Sequence, residues 1–316
     1  GTKRIPVAMK ASLLSFLFVL CFTVDGAGQQ MLQPSVRYAQ AILPTPVLNT
    51  PEFTSVFSSR AVTTGQPASA ESMRALEFIA LPDTVFTVEA VISQGAGTIY
   101  RVTTDEYPYP SPDGYYIDSR FVRTSPEKPH DRTKLLPDKK AVIAALIASE
   151  GSAYLWGGNL REGIPQMLDI YPPPAPLTRE EHSRWMLQGL DCSGLLYQST
   201  GGFTPRNTIA LTAFGEAVPI AHLSVPQIIE VVVPLDIIVW PGHVIIVLDR
   251  DRVIESRLDY DEAQAGNQGG VRIRKIGEVL SDIMKNRVPV NSYNAEATTE
   301  LKQFVIRRWY PHGSNQ

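Results

Sequence analysis

The stretch Asp191-Cys192-Ser193-Gly194-Leu195 sets a thiol between an acid and a hydroxyl, where a glycine-edged loop turns into an apolar, helix-like run. A thiolate attacks a carbonyl carbon far better than a thiol, and a free cysteine has a pKa of about 8.5, so a reactive site must lower it. A helix start can do this, because its aligned N–H groups act roughly as half a positive charge. The competing reading is a small buried hydrophobe, against which the polar neighbours Asp191 and Ser193 weigh. Two other stretches stand out beside it: Tyr154-Leu155-Trp156-Gly157-Gly158, and Trp240-Pro241-Gly242-His243-Val244, which sets a histidine just ahead of an apolar strand.

The 316 residues are long for one ordinary core and imply two compact units joined by a linker. With 44% hydrophobic and 19% charged residues the chain can build real cores and is not a disordered tail. A net charge of -3 gives no electrostatic reason to expect a nucleic-acid partner. Lys3, Arg4 and Lys10, the apolar run Ala11 to Val24, then Gly26, Ala27 and Gly28 read as a signal peptide over residues 1–28. The run is about 14 residues where a bilayer span needs about 20, so a cleaved leader and an exported protein are expected, with no permanent membrane span. Cys21 follows Leu20, where a lipoprotein signal would carry a small residue, and reads as core of the leader. Cleavage then leaves Cys192 as the only cysteine, which excludes an intramolecular disulfide.

Residues 33–123 carry short strand and turn signals, among them the alternation Thr84 to Val91, the run Thr98 to Val102, and Gly114 to Val122. They resemble an SH3-like small β-barrel with an insertion around Pro67 to Arg74. Residues 124–137, polar with three prolines, read as a linker. Residues 138–316 open with a helix that Asp138 can cap, and a second helix is predicted from Cys192. Strands are predicted at Ile228–Val233, Ile237–Trp240, His243–Leu248, Val253–Glu255, Gly270–Ile273 and Phe304–Arg307. Helices first and strands after make an α+β fold with an antiparallel sheet.

Taken in order, the three stretches, with Pro205-Arg206-Asn207-Thr208 between them, resemble the NlpC/P60 family of papain-like cysteine peptidases from about Lys139 to Arg308. The resemblance implies that Cys192 is the nucleophile, His243 the base, and a polar residue a dozen positions later its orienter. The family usually has His there, sometimes Asn or Gln; this chain has Glu255. If His243–Leu248 and Arg252–Arg257 form a hairpin around Asp249-Arg250-Asp251, Glu255 lies opposite Ile245 on the face of His243. A four-residue loop would present Ser256 instead. A carboxylate is a chemically reasonable orienter, since it accepts the imidazole N–H and stabilises the cation.

By the same resemblance Tyr154 lies near the thiol or an oxyanion, against a plain core aromatic. Asp191 meets a substrate amine, against a helix N-cap, and Ser193 donates a bond in the same place. Trp156 is expected to pack. The 32 residues 159–190 form a long insertion, with a capping box at Thr178-Arg179-Glu180-Glu181, that could wall the cleft. The scattered histidines 130, 182, 222, 243 and 312 show no paired ligand spacing, so no metal and no cofactor are expected. The implied function is an exported, monomeric peptidase that hydrolyses the bond from γ-D-glutamate to a diamino acid in peptidoglycan stem peptides. The alternative is a non-catalytic wall-binding protein whose triad Glu255 has disabled.

Overall fold

A computed structural model describes residues 36–58, 74–94, 97–258, 269–298 and 300–312. The expected signal peptide and most of the insertion around Pro67 to Arg74 lie outside them. The first half builds seven strands: β1 (Tyr38–Ala41), β2 (Thr45–Leu48), β3 (Leu76–Ala80), β4 (Val85–Gln94), β5 (Gly97–Thr103), β6 (Tyr115–Asp118) and β7 (Val122–Ser125). They form one antiparallel sheet in the order β3-β2-β6-β5-β4-β1-β7. In β4 the outward Thr87, Glu89 and Ser93 alternate with buried Phe86, Val88, Ala90 and Ile92, as a sheet with one dry face requires. A register shift between Val88 and Ala90 lets this long strand turn from β1 toward β5.

The ladder is not the closed barrel expected for this region: among the described residues β3 and β7 end the path and do not pair with each other. The edge of β3 is taken up differently. Pro46, which has no N–H, faces Ile79 across the β2 ladder. The Asn159 side chain accepts from Ile79 N and donates to Ile79 O, both at 2.9 Å.

That contact introduces the insertion, whose ends pair as β8 (Asn159–Leu160) and β9 (Gly189–Leu190). Between them lie a short helix, Met167–Ile170, and a helix Arg179–Trp185 that starts on the expected Thr178/Glu181 capping box. Ile164, Met167, Tyr171, Trp185 and Leu187 complete the core of the first sheet. Trp185 Nε1 donates to Tyr171 O (2.7 Å), and the Tyr171 hydroxyl donates to the fully buried Asp118 carboxylate. The insertion fastens the two halves together; it contributes no residue to the cleft at Cys192, contrary to the sequence-based expectation of a cleft wall.

The second half carries β10 (Glu216–Ala217), β11 (Ile237–Trp240), β12 (His243–Val247), β13 (Arg252–Arg257), β14 (Gly270–Lys275), β15 (Arg287–Pro289) and β16 (Lys302–Arg308). The antiparallel order is β10-β16-β11-β12-β13-β14, with β15 parallel to β16. Side chains alternate between two cores. Ile237, Val239, Val244, Ile246 and Ile254 face the helices Lys139–Ala148 and Cys192–Ser199. Ile238, Ile245, Val247 and Val253 face the helices Val225–Val231 and Ile276–Ile283. The first of this last pair replaces the strand expected at Ile228–Val233. Ser224 and Gln227 form a capping box around Pro226, and Ile228 buries completely, so cap and helix packing outweigh β-branched propensity.

The first two residues of the expected linker, Thr124 and Ser125, belong to β7. Arg132 ties the remainder down, donating to Glu106 and to the carbonyls of Gly201 and Gly202 just past the Cys192 helix. Among the described residues no helix is long and apolar enough to cross a membrane.

Candidate active site

Cys192 is the first residue of its helix, and Asp191 is the N-cap. One Asp191 oxygen accepts from Gly194 N (2.7 Å), the other from Gly157 N (3.0 Å) and from Arg206 Nη2 (2.7 Å). Arg206, 3% exposed, further donates to Ser193 Oγ (2.5 Å), Gly158 O (3.1 Å) and Asn159 Oδ1 (3.2 Å). A buried guanidinium persists only when its donors are met in this way. The helix approaches this network so closely that a Cβ on Gly194 would sit 2.0 Å from Gly158 O.

Asp191, expected by resemblance to meet a substrate amine, has both oxygens engaged at the N-cap. Ser193 is 5% exposed and bonded to Arg206, and neither residue lines the cleft. A helix start must satisfy its own N–H groups first, and an acid at the cap position does so.

His243 opens β12. The hairpin has the three-residue loop: Asp249 Oδ1 accepts from Asp251 N and Arg252 N, both at 2.9 Å, and Ile246 pairs Ile254. Continued, that register sets Glu255 across from Ile245, and Glu255 Oε2 lies 2.6 Å from His243 Nε2. Ser256, the residue a longer loop would have presented, is fully buried and donates to Leu190 O at 2.6 Å. The other Glu255 oxygen accepts from Arg274 Nη1 (3.0 Å), and Arg274 also reaches Asp282 (3.3 Å).

With Nε2 given to Glu255, Nδ1 is the imidazole nitrogen left to serve the Cys192 thiol, which lines the same cleft. Burial works against the imidazolium, but the bonds and charges of Cys192 and Glu255 prevail and hold the His243 pKa up at about 9. Burial would raise the Glu255 carboxyl, yet His243, Arg274 and Arg257 together hold it below its ordinary value. The pair is therefore imidazolium and carboxylate at neutral pH.

The turn before His243 is fixed from a distance. Gly242 N donates to Thr208 Oγ1 (2.9 Å), and Gly242 O lies 4.0 Å from Cys192 Sγ. One short segment, Arg206 to Thr208, thus grips the cap of the Cys192 helix and the turn that carries the histidine. Sequence reasoning named that segment without giving it work, and it missed Arg274.

Cys192, His243 and Glu255 line a cleft of about 520 Å³ together with Tyr154, Trp156 and Trp240. Burial and the charges of Asp191 and Cys192 raise the Tyr154 hydroxyl well above its ordinary pKa, so it stays a proton donor. Trp156 does not pack inward as expected. It is 41% exposed on the cleft wall, with the Arg74 guanidinium 5.0 Å from its ring. The Trp240 ring stands 5.4 Å from His243, tilted by 50°, and Arg287 lies 4.3 Å over it.

No family model matches the chain, and no curated protein matches it. Among solved structures, it is similar to an NlpC/P60 family protein from Bacillus cereus, with 16% identity and a TM-score of 0.32 over 87% of this chain. The chain spans 64% of that structure's length. It is also similar to NlpC1 from Trichomonas vaginalis, with 11% identity and a TM-score of 0.32 over 93% of this chain and 98% of that one.

Proposed function

We propose that the protein is a cysteine peptidase acting outside the cytoplasm on peptidoglycan stem peptides, at the bond from γ-D-glutamate to a diamino acid. One observation carries the reading: a thiol at a helix start shares a cleft with an imidazole whose Nε2 is held by a buried carboxylate. The choice of substrate rests on the sequence motifs. The thiolate of Cys192 adds to the scissile carbonyl carbon, and the Tyr154 phenol and the helix N-terminus face the developing oxyanion. Collapse of the adduct expels the amine, which takes its proton from His243 and leaves a thioester. Water, deprotonated by the now neutral His243, cleaves the thioester, and the acid product departs with the thiolate restored. Glu255 keeps Nδ1 aimed at sulfur and stabilises the imidazolium throughout.

Defined muropeptides digested with wild type and with Cys192→Ala, followed by mass spectrometry, test this. Wild type should release fragments ending in γ-D-glutamate, and the variant none. Intact peptides in both digests would sink the assignment.

A further inference from the structure

The cations of the cleft are unequally matched. Arg274 is paired with Glu255 and Asp282. Arg287, the first residue of β15, is half-buried against the face of Trp240 and, among the described residues, donates only to the carbonyl of Gln303 at 3.3 Å. Among the described residues no carboxylate pairs with it; burial lowers its pKa, and only Tyr293 opposes. A guanidinium withdrawn from water without an anion is costly, and the aromatic face recovers only part of the loss.

The place of Arg287 decides which part of a substrate it meets. His243 hands its proton to the departing amine, so the space beyond its ring, over Trp240, receives the amine half. We infer that Arg287, held on Trp240, is a specificity residue that takes a carboxylate carried by the amine half of the substrate. A planar guanidinium with a free edge matches a carboxylate in two parallel hydrogen bonds, which a carboxamide cannot reproduce. The cleft therefore prefers peptides whose released amine bears a free carboxylate over their amidated counterparts.

The substrate half of this inference rests on the peptidase reading; the charge half does not. Two assays separate them. The first compares alkylation of Cys192 by iodoacetate, an anion, and by iodoacetamide, its neutral analogue, each normalised to free cysteine. Wild type should favour iodoacetate, R287Q should lower the ratio at least about threefold, and R287K should restore part of it. The second compares kcat/KM for γ-D-glutamyl peptides whose diamino acid ends in a carboxylate or a carboxamide. Wild type should prefer the carboxylate about tenfold, the worth of one charge-assisted contact, and R287Q should erase the preference.

A ratio equal in wild type and R287Q overturns the inference, whatever is cleaved. Equal cleavage of both peptides by wild type overturns the specificity and leaves the peptidase reading intact. Cleavage of neither, with an alkylation ratio that still depends on Arg287, supports the anion subsite and overturns the peptidase reading.

Discussion

Replacing Glu255 by alanine removes one buried carboxylate, 1% exposed, that two cations share: His243 at 2.6 Å and Arg274 at 3.0 Å. Each charge-assisted bond of this kind is worth about 1.5–3 kcal/mol. Losing the one to His243 should lower kcat about 10- to 100-fold, since each 1.4 kcal/mol is roughly a factor of ten in rate. The pH profile gives the sharper test. His243 acts as an acid only while protonated, so activity should persist up to about pH 9 and fall as pH rises through it. Without Glu255, burial keeps working against the imidazolium while one of the two groups that sustain it is gone. The alkaline limb should then move toward neutrality by about one pH unit or more. Glu255→Gln keeps an acceptor for the imidazole N–H but no charge, so it should retain partial activity and show the same shift of the limb. Initial rates on a stem peptide from pH 5 to 10 for the three proteins, with thermal melting as a check on folding, make the measurement. An alanine variant that matches wild type in both rate and limb would remove Glu255 from the mechanism.

Replacing Arg206 by methionine should cost about 3–5 kcal/mol, because Asp191 loses its buried counter-charge, and the melting temperature should drop by roughly 10 °C; Arg206→Lys should recover only part, and an unchanged melting curve would show that the network is dispensable. Stability should also depend on pH from both sides. The His243 contribution is complete below the ordinary imidazole pKa and is lost as pH rises through about 9, whereas the Glu255 contribution is complete above the ordinary carboxylate range and is lost as pH falls below it. Urea denaturation across that range should give a plateau in between; in Glu255→Gln its alkaline edge should move toward neutrality and its acid edge should lose the Glu255 contribution, and identical profiles in the two proteins would refute the linkage.

The parts of the site legible in sequence are those set by local counting. The loop Asp249-Arg250-Asp251 fixes the hairpin register, and with it which side chain meets His243. Asp191 before an apolar run marks the start of the Cys192 helix. What escaped depends on long-range burial. Arg206 and Arg274 look like ordinary surface cations until the fold brings Asp191, 15 residues away from Arg206, and Glu255, 19 residues away from Arg274, against them. Ile228–Val233 misleads because β-branched side chains pack equally well from a capped helix that lies against Ile276–Ile283. The open first sheet escaped too, since nothing local says that an asparagine from the insertion will occupy the edge of β3.

That insertion has a consequence for dissection of the molecule. Ile164, Met167 and Trp185 are almost wholly dry against the first sheet, each worth roughly 1.5–3 kcal/mol of burial. A cut anywhere in residues 126–137 would therefore not release a self-sufficient C-terminal fragment. It would free a body with an oily wound on one flank, prone to clump, whose Cys192 helix has lost the far end of the Ile79–Asn159–Arg206–Asp191 relay. The two halves read as separate modules along the chain, but they stand or melt together.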